Sequence, residues 1–245
     1  MSAPLLNVTA VSKHFGGFTA LDAVSITVAP GERLGLIGPN GSGKSTLVNC
    51  ITGALHHDGG TIDFDGGRLD GMEPHQRTYR GLCRTFQIPR PFTQMTVLQN
   101  VRIPLMFAGA VRSGTRATPV QADRDGMVLL EKVGLAAKAQ IISGELTQID
   151  LRKLELARAM AARPKLLIAD EVMAGLTLSE LDEILALLIL LNSEGTAIIM
   201  IEHIIRAVRN FSQRLVVLAA GKKIADGLPG AVLDEPEVMK AYLGK

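Results

Sequence analysis

The chain contains no tryptophan and only two tyrosines, so seven phenylalanines carry nearly all of its aromatic character. Its two cysteines, Cys50 and Cys83, provide neither a disulfide framework nor metal-finger spacing. We expect both to be buried free thiols in a reducing compartment. Residues 1–10 lack a basic segment followed by an apolar run, so no signal peptide is expected. The longest apolar run, Ile184–Leu191, is far shorter than the ~18 residues that span a bilayer.

An excess of charge of one sign is also lacking. The 26 lysines and arginines oppose 24 aspartates and glutamates, and the resulting net charge of +2 argues against a dedicated nucleic-acid binder. Hydrophobic residues make up 47% of the 245 positions, which excludes disorder as the main state. The core must therefore be aliphatic. The 25 glycines show no period of three, which favours an α/β protein over collagen.

Short apolar segments alternate with helical patterns in the first and last thirds of the chain. The predicted strands are Leu5–Val11, Ser25–Val28, Arg33–Ile37, Thr61–Phe64, Leu82–Gln87, Leu166–Ala169, Thr196–Ile201 and Arg214–Ala219. The predicted helices are Lys44–Thr52, Thr96–Met106, Gln121–Val133, Gln148–Ala162, Leu178–Asn192, Ile204–Phe211 and Pro236–Leu243. A surface loop is expected over Ala108–Pro119. This alternation predicts an α/β fold with parallel βαβ units and a helical block inserted between them.

A glycine-rich segment between a strand and a helix fits the pattern G-x-x-x-x-G-K-[ST]. Its residues, with the one that follows, are Gly38, Pro39, Asn40, Gly41, Ser42, Gly43, Lys44, Ser45 and Thr46. Backbone N–H groups of such a loop cradle phosphate oxygens, and the positive helix N-terminus points at the same oxygens. Lys44 can reach the β- and γ-phosphates, and the Ser45 hydroxyl is placed for Mg²⁺. The alternative, a glycine-rich turn without function, is disfavoured by the strand before the loop and the helix after it.

Two carboxylates, Asp170 and Glu171, end a strand predicted to be buried. Ligands of open parallel sheets gather beyond the carboxyl ends of the strands, where the glycine loop also lies. We expect Asp170 to hold the Mg²⁺ shell and Glu171 to act as general base on water attacking a γ-phosphate. A solvated acidic turn is the alternative for this pair. His203 follows another predicted strand and would face the same crevice, although a lone histidine is more often structural.

Together these residues resemble those of the ATP-binding-cassette (ABC) ATPases, over essentially the whole chain. Within that superfamily, the sequence is most similar to the larger-type ATPase subunits of branched-chain amino acid importers. The segments that carry the resemblance are Lys13–Gly17, Leu36–Gly41, Arg84–Gln87, Met95–Leu98, Ile201–His203 and Ala241–Gly244.

The resemblance implies a single domain, residues 1–245, with a P-loop NTPase (RecA-like) core and an N-terminal antiparallel β lobe. The core would comprise residues 1–87 and 161–245. Residues 88–160 would form an inserted helical subdomain that docks on membrane subunits. ATP and Mg²⁺ are the implied cofactors.

The resemblance also assigns roles to single residues. Phe15 aligns with the aromatic residue that stacks on adenine, and Phe18 is the fallback for that role, unless it is a core residue. Gln87 aligns with the glutamine that reaches Mg²⁺ and the attacking water. His203 aligns with the histidine that contacts the γ-phosphate.

The implied function is ATP hydrolysis coupled to import, with branched-chain amino acids as the expected cargo. The implied partners are permease subunits and a second ABC ATPase in a hetero- or homodimer, with an extracytoplasmic binding protein reached indirectly and no nucleic acid. The chain would lie peripherally on the cytoplasmic face of the plasma membrane. Two alternatives remain open: a similar cassette for lipopolysaccharide or urea-type cargo, and an ABC ATPase with no transport role.

One segment departs from the family. The signature that usually reads Leu-Ser-Gly-Gly-Gln corresponds here to Leu146–Asp150, in which Ile149 replaces a glycine and Asp150 replaces the glutamine. Thr147 and Asp150 have the spacing of a helix cap, which favours a structural role. In this family the signature of one cassette closes the ATP site of its partner, so we expect a heterodimer with unequal sites.

Overall fold

The structure, a computed structural model, describes residues 3–86, 88–109, 114 and 118–243. The chain divides into two units, Met1–Arg77 with Asn192–Lys245, and Thr78–Leu191. The predicted helical insert, residues 88–160, lies wholly within the second unit.

The first unit opens with an antiparallel sheet. Strands β1 (Leu6–Phe15) and β2 (Phe18–Val28) form a hairpin that turns at Gly16 and Gly17 and pairs Phe15 with Phe18. The sheet is completed by β4 (Gly59–Phe64) and β5 (Gly67–Arg68), in the order β2-β1-β4-β5. Both hairpin strands are longer than predicted, because pairing continues up to the turn through several register shifts. The antiparallel N-terminal lobe is confirmed.

A parallel arrangement of strands follows in the same unit. Strand β3 (Arg33–Ile37) lies between β8 (Ala197–Ile201) and β9 (Arg214–Ala219), parallel to both. Strand β10 (Lys222–Gly227), which was not predicted, pairs antiparallel with β9 and is largely exposed. The helices of this unit include α1 (Lys44–Thr52), α7 (Ile205–Phe211), α8 (Pro229–Leu233) and α9 (Pro236–Leu243). The buried residues of β3 are all aliphatic or glycine, as expected for a strand covered on both faces.

Helix α2 (Pro74–Arg80), also absent from the prediction, provides a buried cation. Arg77 is only 2% exposed, and its Nη1 donates to the carbonyls of Cys50 and Ile51, both at 2.8 Å. These carbonyls belong to the last turn of α1, where a positive charge favours the helix dipole. Burial lowers the pKa of Arg77, and the carbonyl partners offset the cost of desolvation.

The second unit contains strands β6 (Leu82–Arg84) and β7 (Leu166–Asp170), which pair in parallel. Its helices include α3 (Val97–Pro104), α4 (Pro119–Lys132), α5 (Gln148–Ala161) and α6 (Leu178–Ser193). Helix α3 runs into a π-helical segment, Leu105–Gly109. Most of the loop predicted over Ala108–Pro119 lies outside the described residues. The α/β class is confirmed.

Helix α5 differs from its prediction. The pattern predicts an amphipathic helix, but α5 also buries the charged side chains of Arg152, Lys153 and Glu155. Each has a specific partner; the Lys153 Nζ, for example, lies 2.6 Å from the Glu183 Oε1. Burial of charge is tolerated when it is paired or hydrogen-bonded in this way.

Both cysteines are buried free thiols, as predicted. Burial raises the pKa of the Cys50 thiol to about 11, which keeps it protonated and unreactive near neutral pH. Among the described residues, no helix has the length and apolar character that a membrane span requires.

Candidate functional site

The glycine loop follows β3 and begins α1 directly, as the sequence predicts. Gly43, the residue before α1, has φ 102°, and a side chain there would place Cβ 2.7 Å from the Ala20 carbonyl oxygen. At Gly38 a Cβ would lie 2.2 Å from the Leu218 carbonyl oxygen. The loop is thus held so tightly between β2 and β9 that only glycine fits at these two positions.

The start of α1 has no side-chain cap. Gly43 offers no side chain, and the first turn contains no acidic residue, so no side chain caps the backbone N–H groups at the start of the helix. The Lys44 Nζ is folded over the loop and donates to the carbonyls of Gly38 (2.7 Å) and Pro39 (3.0 Å). A cation and uncapped amides at one helix start suit an anionic phosphate.

The two candidate stacking residues lie at the tip of the β1–β2 hairpin. Phe15 is 50% exposed and Phe18 is 62% exposed, so neither is a core residue. The Lys13 Nζ lies 5.6 Å from the centroid of the Phe15 ring. Strand β2 continues from Phe18 to Ala20, whose carbonyl approaches Gly43. The hairpin therefore presents an aromatic surface on the strand that borders the glycine loop.

His203 lies at the carboxyl end of β8. Strands β3 and β8 are parallel neighbours, and Leu36 of β3 pairs with Ile201 of β8. Gly38 lies two residues after Leu36, and His203 lies two residues after Ile201, so both follow the carboxyl ends of neighbouring strands. His203 is exposed, whereas Glu202 before it is buried. The structure thus brings His203 and the glycine loop to one sheet edge, as the sequence predicts.

In the second unit, Asp170 and Glu171 stand at the end of β7. Asp170 is 8% exposed; its carboxylate accepts from the Arg84 Nη2 at 2.6 Å, and its N–H donates to the Thr85 Oγ1 at 3.1 Å. Glu171 has φ 48°, a left-handed conformation that costs a non-glycine residue strain and that recurs at functional sites. The two residues thus differ: the Asp170 carboxylate is anchored by its neighbours, and Glu171 has a left-handed backbone directly after the strand.

Gln87 lies outside the described residues. The residue before it, Phe86, is held by α5: its N–H donates to the Glu155 Oε1 at 2.6 Å and its carbonyl accepts from the Arg152 Nη1 at 3.2 Å. Burial raises the pKa of Glu155 to about 7, although the Phe86 N–H, Arg152 and Arg158 favour the ionised form.

The altered signature forms the start of α5. Thr147 is the N-cap and its Oγ1 accepts from the Asp150 N–H, which confirms the predicted cap. The Asp150 carboxylate accepts from the Thr147 hydroxyl at 2.6 Å and from the Lys138 Nζ at 2.5 Å. Ile149 is half-buried. The Asp150 carboxylate is thus held by hydrogen bonds from Thr147 and Lys138.

A cavity of about 260 Å³ opens in the second unit beside Phe86. Its wall combines aromatic, aliphatic and arginine side chains, including Phe86, Arg90, Phe92, Ile103 and Arg158. The Arg158 guanidinium lies 5.1 Å from the centroid of the Phe92 ring, a cation–π contact. This surface has the mixed apolar and cationic character of a macromolecular contact.

Among the described residues, no group of three or more histidines, cysteines and carboxylates gathers in a way that could hold a metal ion.

Sequence reasoning missed the contacts that Arg84, Arg152 and Glu155 make around Asp170 and Phe86. Two signals pointed to them. Glu155 lies between Leu154 and Leu156 in a predicted helix, and Arg84 lies within the strand predicted over Leu82–Gln87. Charges in such positions are buried only with partners.

Comparison with known proteins identifies the family. The model of the ABC transporter family matches residues 21–174. BraF of Pseudomonas aeruginosa, a high-affinity branched-chain amino acid transport ATP-binding protein, is 37% identical over the full length of both chains. LivG of Escherichia coli K12, described in the same words, is also 37% identical over both full lengths. An ATP-binding cassette of an ABC transporter, solved in an ADP conformation, superposes with a TM-score of 0.85 at 31% identity and covers 100% of both chains.

The fold, the glycine loop that opens α1 and the full-length matches agree. The chain therefore belongs to the ABC transporter family, as one of its ATP-hydrolysing cassette proteins.

Proposed function

We propose that this cassette couples ATP hydrolysis to the import of branched-chain amino acids. The observation that carries the proposal is the 37% identity to BraF and LivG over the whole of each chain. Similarity that extends through both units and the C-terminal helix supports a common type of transporter better than a match to the glycine loop alone would.

In the proposed site, the glycine loop and the first turn of α1 bind the ATP phosphates. Backbone amides and the Lys44 ammonium carry the negative charge of the β- and γ-phosphates. Phe15 stacks on adenine, with Phe18 beside it at the hairpin tip. The exposure of both rings supports this role.

Ser45, Asp170 and Gln87 are the residues proposed to hold Mg²⁺. Ser45 is exposed at the start of α1, and the Asp170 carboxylate is fixed by Arg84. When bound, Mg²⁺ neutralises charge on the transferring phosphate. Glu171 accepts a proton from the attacking water, and His203 donates a hydrogen bond to the γ-phosphate.

The proposed partners are a second cassette and permease subunits, to which an extracytoplasmic binding protein delivers the cargo. We place the permease contact at the cavity beside Phe86, because its aromatic and arginine wall suits a protein segment. The chain would then lie at the cytoplasmic face of the membrane through these partners. Replacing Phe92 with serine should reduce co-purification of the permeases, whereas Val120→Ser, an equally apolar but more exposed position on α4, should not.

Hydrolysis is tested by Glu171→Gln in the full-length chain, with its partners present. The glutamine keeps the shape of the side chain but cannot take a proton, so we expect ATP to bind and remain uncleaved. Retained radiolabelled ATP and released phosphate would both be measured. The exposed Glu131→Gln on α4 is the control. Normal phosphate release by Glu171→Gln would exclude this residue as the base.

Cargo is tested in proteoliposomes that contain this chain, a second cassette, the permeases and the binding protein. Leucine uptake that requires ATP and is lost with Glu171→Gln supports the proposal. Uptake of urea without leucine would reject the cargo and leave the ATPase assignment intact.

A further inference from the structure

The hairpin tip that bears the candidate stacking ring extends beyond the strand next to it. The pairing of β1 with β4 ends where Ser12 meets Gly59, the first residue of β4. Strand β1 continues to Phe15 and remains paired with β2 on its other side. The side of β1 that faced β4 is therefore an edge at the tip, and the backbone N–H groups of such an edge are available to side chains.

Asp58 binds this edge. It lies in the connection between α1 and β4, and its own N–H donates to the Ser12 carbonyl at 2.8 Å. Its carboxylate Oδ2 accepts from the His14 N–H at 2.7 Å, and its Oδ1 accepts from the Lys13 Nζ at 2.7 Å. The side chain of Asp58 thus continues the edge of β4 and holds the two residues that precede Phe15.

Lys13 connects the Asp58 carboxylate with the Phe15 ring. Its Nζ, which is bound to Asp58, lies over that ring at 5.6 Å from the centroid, within the range of a cation–π contact. The ammonium therefore lies on one face of the ring, while half of the residue remains exposed. A carboxylate, an ammonium and an aromatic ring thus follow one another in contact at the hairpin tip.

The pair of Asp58 and Lys13 is suited to fixing local geometry. The Asp58 side chain is 41% exposed, and exposed ion pairs contribute little to the stability of a whole fold. The Lys13 side chain and the His14 N–H nevertheless hold the pKa of Asp58 at about 2, so the carboxylate is ionised at neutral pH. Its effect is thus concentrated on the two residues that it binds.

We propose that Asp58 is a positioning residue for the base of ATP. Through Lys13 and the His14 backbone it holds the Phe15 ring, and the base stacks on the face of the ring that lies away from the ammonium. The inference rests on the proposed stacking role of Phe15. Since the phosphates bind at the glycine loop, loss of Asp58 should weaken binding of the base and leave binding of the phosphates intact.

The absence of tryptophan from the chain allows a direct test of position. Phe15→Trp places a single reporter at the ring, and stacking of ATP on it should quench its fluorescence. In this background, Asp58→Ala should lower the anisotropy of the reporter and weaken the quenching. Asp58→Asn should largely preserve both, because its amide oxygen still accepts from the His14 N–H. Asp63→Ala is the matched control, since it removes an exposed aspartate of β4 that pairs with Arg68 instead.

The same substitutions in the natural background separate the base from the phosphates. Asp58→Ala should raise the Kd for ATP about fivefold or more, since a stacked base commonly contributes that much to affinity. The Kd for inorganic triphosphate, which has no base, should stay within about twofold of that of the parent. The KM for ATP should rise while kcat at saturating ATP is unchanged, because only binding is affected. Asp63→Ala should change none of these values.

Unchanged anisotropy in Asp58→Ala would overturn the proposal, as would equal losses of affinity for ATP and for triphosphate. A reporter chain that binds ATP without any quenching would instead contradict the proposed stacking role of Phe15. The anisotropy would still decide whether Asp58 holds the ring, because it requires no nucleotide.

Discussion

Two helix starts in this chain are built in opposite ways. Helix α1 begins at Gly43 with no side-chain cap and with the Lys44 ammonium folded over the loop. Helix α5 has Thr147 as its N-cap, whose hydroxyl accepts from the Asp150 N–H, and the Asp150 carboxylate in turn accepts from the Lys138 Nζ. The first start has no capping side chain and presents a cation, whereas the second is capped by a side chain of the protein itself.

The difference shows that the positive partial charge at a helix start can serve either to bind a ligand or to hold the protein's own side chains. Every helix start carries unsatisfied N–H groups, and the residues beside it decide whether a ligand or the protein binds them. In this chain the family's phosphate loop is intact, whereas the family's signature has become a helix cap. We therefore expect the chain to contribute unequally to its own ATP site and to that of a partner.

The largest expected effect comes from removing the cation at the open start. Lys44→Ala should reduce ATP hydrolysis at least about a hundredfold, because a lost charge-stabilising donor commonly costs that much. Phosphate release would be measured beside Lys132→Ala, which removes a lysine from the exposed end of α4. Hydrolysis at the parent rate in Lys44→Ala would remove α1 from the site.

A smaller effect is expected when two copies of this chain pair with each other instead of with a different cassette. A dimer of two copies should hydrolyse ATP about tenfold more slowly than a mixed pair with a cassette whose signature keeps its glycine, because transition-state donors are missing. The two assemblies would be compared at equal concentrations of this chain. Equal rates would mean that the capped start of α5 still serves a neighbouring site.

The cap itself should contribute modestly to stability. Thr147→Ala should lower the free energy of unfolding by about 1 kcal/mol, the usual cost of losing an N-cap. Thr118→Ala, which removes the equivalent cap of α4, is the matched control, and denaturant titration measures both. Only Thr147→Ala should also alter the mixed-pair rate. If neither substitution changes the free energy of unfolding, the two caps do not stabilise the protein.

The smallest effect concerns pH. Burial opposes ionisation of Asp150, but hydrogen bonds from Lys138 and Thr147 hold its pKa below the ordinary value. Its stabilising contribution is therefore present above the ordinary carboxyl pKa and is lost as pH falls through the lowered one. Asp150→Asn should weaken this acid dependence in thermal melts across that window. An unchanged pH profile would show that the pair with Lys138 contributes nothing.

Elements with local signals were predictable from the sequence. The bounds of α1 match the prediction because Gly43 and Gly53 flank it, and those of β9 match because its residues are almost wholly aliphatic. Helix α2 was missed because its buried residue is Arg77, which gives no apolar stripe. Strand β10 was missed because a polar edge strand resembles a loop.

The site residues also fall into those that local sequence signals predict and those that they do not. The positions of Lys44 and His203 follow from strand ends and a glycine pattern, which are local features. The contacts of Glu155 with Phe86, and of Arg84 with Asp170, join residues that are about 70 and 86 positions apart. A local pattern can mark such a charge as buried, but it does not identify a partner that is so distant in the sequence.

Arg77 gives the phosphate-binding helix a mechanical property. Its guanidinium grips the carbonyls at the rear of α1, about 10 Å along the axis from Lys44 at the usual rise per residue. A nucleotide bound at the start of α1 would therefore contact a helix whose carboxyl end is anchored by Arg77. Helix α1 is thus fixed at both ends, by Arg77 at its carboxyl end and by the closely packed glycine loop at its start.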